Sequence, residues 1–176
     1  MDIFDVAYSG TFSEFKKTFK GDINQTDKYL DLNLLCAVIL GEGDDAEQLA
    51  KAQFLIDKEI NINYVTGKEK RNALHLYYFS KWRPDHQFAL EVTKLLLESG
   101  INVNAKDDYN AIPLKCLLTL NKQPTMENKD LYMLLLNAGS DYRHKDEFGK
   151  SCLDYAEEFS WRNDFVGIVE EYENGK

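Results

Sequence analysis

The chain repeats itself about every 40 residues, and that period restricts its fold more than any single motif does. Leu35, Leu74, Leu114 and Leu153 each open an apolar run, at separations of 39, 40 and 39 residues. A second marker keeps step. Phe54-Leu55-Ile56, Leu95-Leu96-Leu97 and Leu134-Leu135-Leu136 lead into polar turns at Ile60-Asn61-Ile62-Asn63, Ile101-Asn102-Val103-Asn104 and Ser140-Asp141-Tyr142-Arg143. A unit of this length cannot bury its apolar face alone, so the period predicts an all-α solenoid in which each unit completes the core of its neighbour.

Each block reads as helix, loop, helix and extended turn. Asn72 is placed to cap the helix that begins at Ala73, and the spacing predicts a second helix from about Gln87 to Ser99, closed by Gly100. Glu91, Lys94 and Glu98 then share the solvent side. Pro113 falls in the first turn of a helix, where its missing N–H does no harm, and Gly139 falls just past the end of another. The period divides a single domain into an N-terminal cap over 1–28, units over 29–65, 66–106 and 107–145, and a C-terminal cap over 146–176. Two blocks lengthen the link between their helices, at Lys81-Trp82-Arg83-Pro84-Asp85-His86 and from Asn121 to Asn128.

With 176 residues, 44% of them apolar, the chain can bury a continuous core without staples. Cys36, Cys116 and Cys152 are odd in number, share no CxxC spacing and fall in the first helix of their blocks, which suits core thiols. The first residues carry no basic and apolar leader, and the longest apolar run, Leu34 to Leu40, is too short to span a bilayer, so a cytoplasmic location is expected. A net charge of −9 argues against nucleic acid and against an anionic membrane surface. The charge is uneven: residues 1–65 carry −6, residues 66–145 carry +3 and residues 146–176 carry −6.

Three stretches resemble ankyrin repeats. Asn72-Ala73-Leu74-His75-Leu76 is similar to the family's Thr-Pro-Leu-His-Leu signature, the run from Lys94 to Lys106 is similar to its most specific segment, and Asp146-Glu147-Phe148-Gly149 is similar to its hairpin. The resemblance implies about five L-shaped units, each two antiparallel helices with a short projecting hairpin, and His75 as a structural hydrogen-bonding residue. The chain departs from the family in its longer period and in Tyr77-Tyr78, where small residues are usual. Asn110 stands where Gly149 stands one block later, a substitution that keeps access to positive φ. The hairpin over Thr66-Gly67-Lys68-Glu69-Lys70-Arg71 is expected to be irregular.

Reactive constellations are not evident. His75, His86 and His144 form no metal-ligand or base–nucleophile spacing with Cys, Asp or Glu, and no acidic cluster has the alternating spacing of a calcium loop, so neither a cofactor nor a metal is expected. Gly41-Glu42-Gly43 follows a helix and adjoins Asp44-Asp45, which makes it a flexible connector, not a phosphate loop. Aromatic residues carry more information. Tyr29, Tyr109 and Phe148 hold corresponding hairpin positions, and Trp82 lies in a lengthened loop. The expected binding surface uses these four and Tyr78 as apolar anchors, with Asp107, Asp108 and Glu147 beside them.

A non-catalytic protein-binding module, monomeric when free, follows from this. The resemblance further suggests a small stand-alone bacterial ankyrin-type immunity protein that neutralises a secreted toxin with a basic domain. The alternatives are a regulatory adaptor or host-directed scaffold and, from another class, an enzyme using His75 or His144.

Overall fold

A computed structural model describes residues 1–176. Its ten α-helices come in pairs: α1 (Ile3–Ser9) with α2 (Phe12–Thr18), α3 (Leu34–Leu40) with α4 (Asp45–Asp57), α5 (Ala73–Ser80) with α6 (His86–Glu98), α7 (Pro113–Leu120) with α8 (Lys129–Asn137), and α9 (Cys152–Glu158) with α10 (Asp164–Asn174). The only strands are β1 (Thr26–Asp27) and β2 (Leu32–Asn33), an antiparallel pair with Asp27 opposite Leu32. No helix is long and apolar enough to cross a membrane.

The odd-numbered helices pack one on the next from α1 to α9, and the even-numbered helices form a second row from α2 to α10. Most of the helices are short, so their ends matter. Asp2, Thr11, Asn72 and Ser151 close capping boxes at the starts of α1, α2, α5 and α9, and Asn33, Asp44 and Asp85 cap α3, α4 and α6. The α7 start has no side-chain cap; Pro113 at its first position needs none for its own nitrogen. Counted from each cap, the leucines that set the period are equivalent: Leu35, Leu74 and Leu114 are almost wholly buried, as are Leu55, Leu96 and Leu135 in the second row.

Asparagines stitch neighbouring units together at the same period. Asn24 Oδ1 accepts from the backbone N–H of Asn61 at 2.7 Å, Asn63 Oδ1 from Asn102 at 2.7 Å, and Asn104 Oδ1 from Asp141 at 2.8 Å. The amides of Asn63 and Asn104 then donate to the carbonyls of Gly100 and Gly139. These are the Asn-spaced turns of the sequence, and each satisfies backbone groups that helix ends leave open.

One expectation about loops is corrected. The Thr66–Arg71 hairpin is as regular as the others: Thr66 N–H donates to Arg71 O at 3.0 Å, just as Asp107 does to Ala111 and Asp146 to Lys150. It merely holds one more residue. Two positions before each cap the backbone takes positive φ, at Asp31 (53°), Lys70 (54°), Asn110 (54°) and Gly149 (71°). Gly41 has a packing role within its connector, because a Cβ there would lie 2.2 Å from the carbonyl oxygen of Tyr8. Its neighbour Glu42 donates its N–H to that same oxygen at 3.1 Å.

Candidate interaction surface

Each hairpin begins with a residue that organises it. Asp27, Asp107 and Asp146 turn one carboxylate oxygen onto the backbone N–H groups that follow, Asp107 Oδ1 accepting from Tyr109 at 2.9 Å and Ala111 at 3.0 Å. This Asx-type turn throws the residue two places on to the tip. Tyr29, Tyr109 and Phe148 occupy that place and are 83%, 47% and 66% exposed; Lys68 holds it in the intervening hairpin.

The hairpins are bonded side by side, which turns separate tips into a row. Tyr64 donates its hydroxyl to Asp31 at 2.7 Å, Asp108 N–H donates to Glu69 O at 2.9 Å, and Glu147 N–H donates to Tyr109 O at 3.0 Å. Because the last two are backbone bonds, the side chains of Asp108 and Glu147 stay exposed next to the aromatic tips.

Three residues expected on this surface are not there. Tyr78 is 2% exposed, its hydroxyl 2.7 Å from Thr93 Oγ1 between α5 and α6. The equivalent Ile39 and Leu118 are also buried, since this face of each first helix meets the second row. Asp107 is buried as well, spent on its turn and placed 3.5 Å from Arg71 Nε. Trp82 is exposed but lies past the far end of α5, about 12 Å of helix from the hairpins, so it does not join the tips. Its indole donates to Phe79 O, and its own carbonyl accepts from Lys122 N–H at 2.8 Å.

The groups with reactive potential are structural. His75 is fully buried; Nε2 lies 2.8 Å from the carbonyl oxygen of Ala111, which can only accept, so that nitrogen carries the proton. Nδ1 is left to accept from Asn72 N–H at 3.3 Å. Burial lowers its pKa, so the ring stays neutral. His144 makes the same kind of contact with Asn110 O, and His86 pairs with Asp130. Burial pushes the Cys36 and Cys116 thiols up to about 12 and the Cys152 thiol upward as well. No group of three or more His, Cys, Asp or Glu side chains converges in a way that could hold a metal.

Sequence reasoning missed a set of buried and half-buried cations. Lys51 on α4 donates to the carbonyls of Val6, Ala7 and Gly10 at the end of α1. Arg162 donates to Leu118, Asn121 and Gln123 at the end of α7, and Lys81 lies 3.3 Å from Gly41 O at the end of α3. In each case a cation meets the negative end of a helix in the row opposite or in a neighbouring unit.

Residues 69–108, which hold α5, α6 and the turn of Asn102 and Asn104, match the family model of the ankyrin repeat. No curated protein matches the chain. The capped α5, the buried His75 and the asparagine turn all lie within the matched residues, so over residues 69–108 the chain is similar to an ankyrin repeat.

Proposed function

We propose that the whole chain is an ankyrin-type solenoid of five helix pairs, divided at 1–28, 29–65, 66–106, 107–145 and 146–176, and that it is a protein-binding module without catalysis. Ankyrin repeats mediate protein–protein interaction, and the two continuous helix rows support extending the repeat beyond residues 69–108. The observation that carries the reading is the row of hairpins with Tyr29, Tyr109 and Phe148 at their tips, large apolar side chains held in solvent by a bonded scaffold. Rigid aromatics of this kind act as anchors in protein interfaces. Asp108 and Glu147 beside them favour a partner carrying positive charge.

The finer reading is an immunity protein that binds a basic domain of a secreted toxin in the cytoplasm. The net charge of −6 over residues 1–65 supports a basic partner. An adaptor that holds an enzyme or a transcription factor would present the same tips, and protection of cells from a co-encoded toxin separates the two.

The test is to capture the partner with the full chain, purify it, and compare its affinity for the chain and for a Tyr29→Ala, Tyr109→Ala, Phe148→Ala variant. A loss of tenfold or more, chiefly in the dissociation rate, is expected. Unchanged affinity would exclude the hairpin tips as the surface.

A further inference from the structure

At the N-terminal end of the odd-numbered row, α1, the first hairpin, α3 and the end of α5 enclose an open cleft of about 650 Å³. This is the size range of sites that hold small ligands and is far too small for a folded domain. Phe4, Tyr8, Leu32 and Leu40 contribute apolar surface to it. Asp2, Asp5, Asp27 and Glu42 line it too, against one cation, Lys81, whose ammonium is turned toward Gly41 O.

These four carboxylates differ from three acidic groups at the other end of the chain. There, Glu158 pairs with Lys150, Glu171 with Lys129, and Glu173 with Arg143 and Lys176. None of the four cleft carboxylates belongs to an ion pair. Asp2 and Asp27 each use Oδ1 on two backbone N–H groups, and Asp5 uses Oδ2 on the N–H of Asp2. The second oxygen of each remains for an incoming donor. Glu42, exposed at the rim beside Tyr8, completes a field of net −3 over an apolar floor.

We propose that this cleft receives an arginine side chain from an extended, apolar-flanked segment of the protein partner. The proposal rests on the reading of the chain as a protein-binding module and adds to it a second contact, distinct from the hairpin tips. A guanidinium suits the site better than an ammonium: it is planar and weakly hydrated, can lie on the Tyr8 or Phe4 ring, and directs its N–H groups to separate carboxylates. Leucine-like neighbours on the segment would cover Leu32 and Leu40.

Titration of the ¹⁵N-labelled full chain with a short capped peptide of alternating leucine and arginine tests this. Saturable shifts at the amides of Asp5, Tyr8 and Glu42 are expected, with no response to the same peptide carrying citrulline for arginine. Glu42→Gln with Asp5→Asn, which keeps an acceptor for the α1 cap, should weaken binding about tenfold, and Glu42→Lys alone should abolish it. Circular dichroism establishes that the variants fold. Shifts centred elsewhere, equal binding of the citrulline peptide, indifference to the variants, or equal shifts with spermine would each overturn the proposal. The hairpin aromatics are untouched in this titration, so a negative result removes the cleft and leaves the tips standing. Loss of partner binding only when the tips are replaced would do the same.

Discussion

The ammonium of Lys51 donates to the carbonyl oxygen of Ala7 across 2.8 Å, fastening α4 to the end of α1. Lys51 is wholly buried, and the same nitrogen reaches Gly10 O at 2.7 Å. Burial depresses its pKa, which Glu47 and Glu14 oppose. The charged group is retained because the Ala7 and Gly10 carbonyls would otherwise lose their donor, whereas Val6 O also accepts from Gly10 N–H. Lys51→Met keeps the apolar stem and removes the donors. It should destabilise the fold by about 1–3 kcal/mol, the range for orphaned buried polar groups. Urea denaturation measures this, and an unchanged midpoint would mean that water replaces the ammonium.

The core prediction concerns Leu96 of the second row, which has no exposed surface, and Leu153 of the first row, which is half-buried. Leu96→Ala should cost about 2–5 kcal/mol, whereas Leu153→Ala should cost clearly less because its site opens toward solvent. Equal losses by thermal or urea unfolding would contradict the register of the two rows.

Much of this arrangement was legible in the sequence because the period and the chemistry coincide. The spacing of Leu35, Leu74 and Leu114 follows from the period, the Asn72 cap and the Pro113 start from helix-end rules, and the structural role of His75 from the resemblance of its segment to the family signature. Lys51 and Arg162 were not legible. Each looks like a surface cation in its own helix or turn, and its burial is set by carbonyls more than 35 residues away. Tyr78 and Asp107 were misplaced although the signal was present. Tyr78 shares its register with Ile39 and Leu118, and Asp107 shares its place with Asp27 and Asp146, each two residues before an aromatic tip.

Stability should fall as pH drops below about 6.5. His75 has a depressed pKa in the folded chain, with burial as the main cause, opposed by the Ala111 carbonyl and Asp107 and aided by Arg71. The unfolded chain therefore takes up a proton near the ordinary histidine value while the folded chain does not, and the difference grows until the folded pKa is reached. Unfolding free energies at pH 7.5 and 5.5 should differ for the chain and differ much less for His75→Gln. A flat profile in the unmodified chain would contradict the buried neutral ring.

The three thiols should be inert in the native state. Burial raises all of them, Cys36 and Cys116 to about 12, so little thiolate exists near neutral pH. A thiol reagent such as 5,5′-dithiobis(2-nitrobenzoic acid) should react only after denaturation, and thermal melts with and without chelator should coincide. Rapid labelling of the folded chain would reveal an opening of the first helices.

Hydroxyl-radical footprinting of the chain alone and in complex with its captured protein partner tests the central claim most directly, because it reads side-chain exposure residue by residue. Tyr29, Tyr109 and Phe148 are exposed in the free chain and should all lose oxidation in the complex, while Met126, exposed at the start of the short turn before α8, should not change. Protection of Met126 and the second-row helices, with the three tips oxidised as before, would contradict the assignment of the hairpin row as the binding surface.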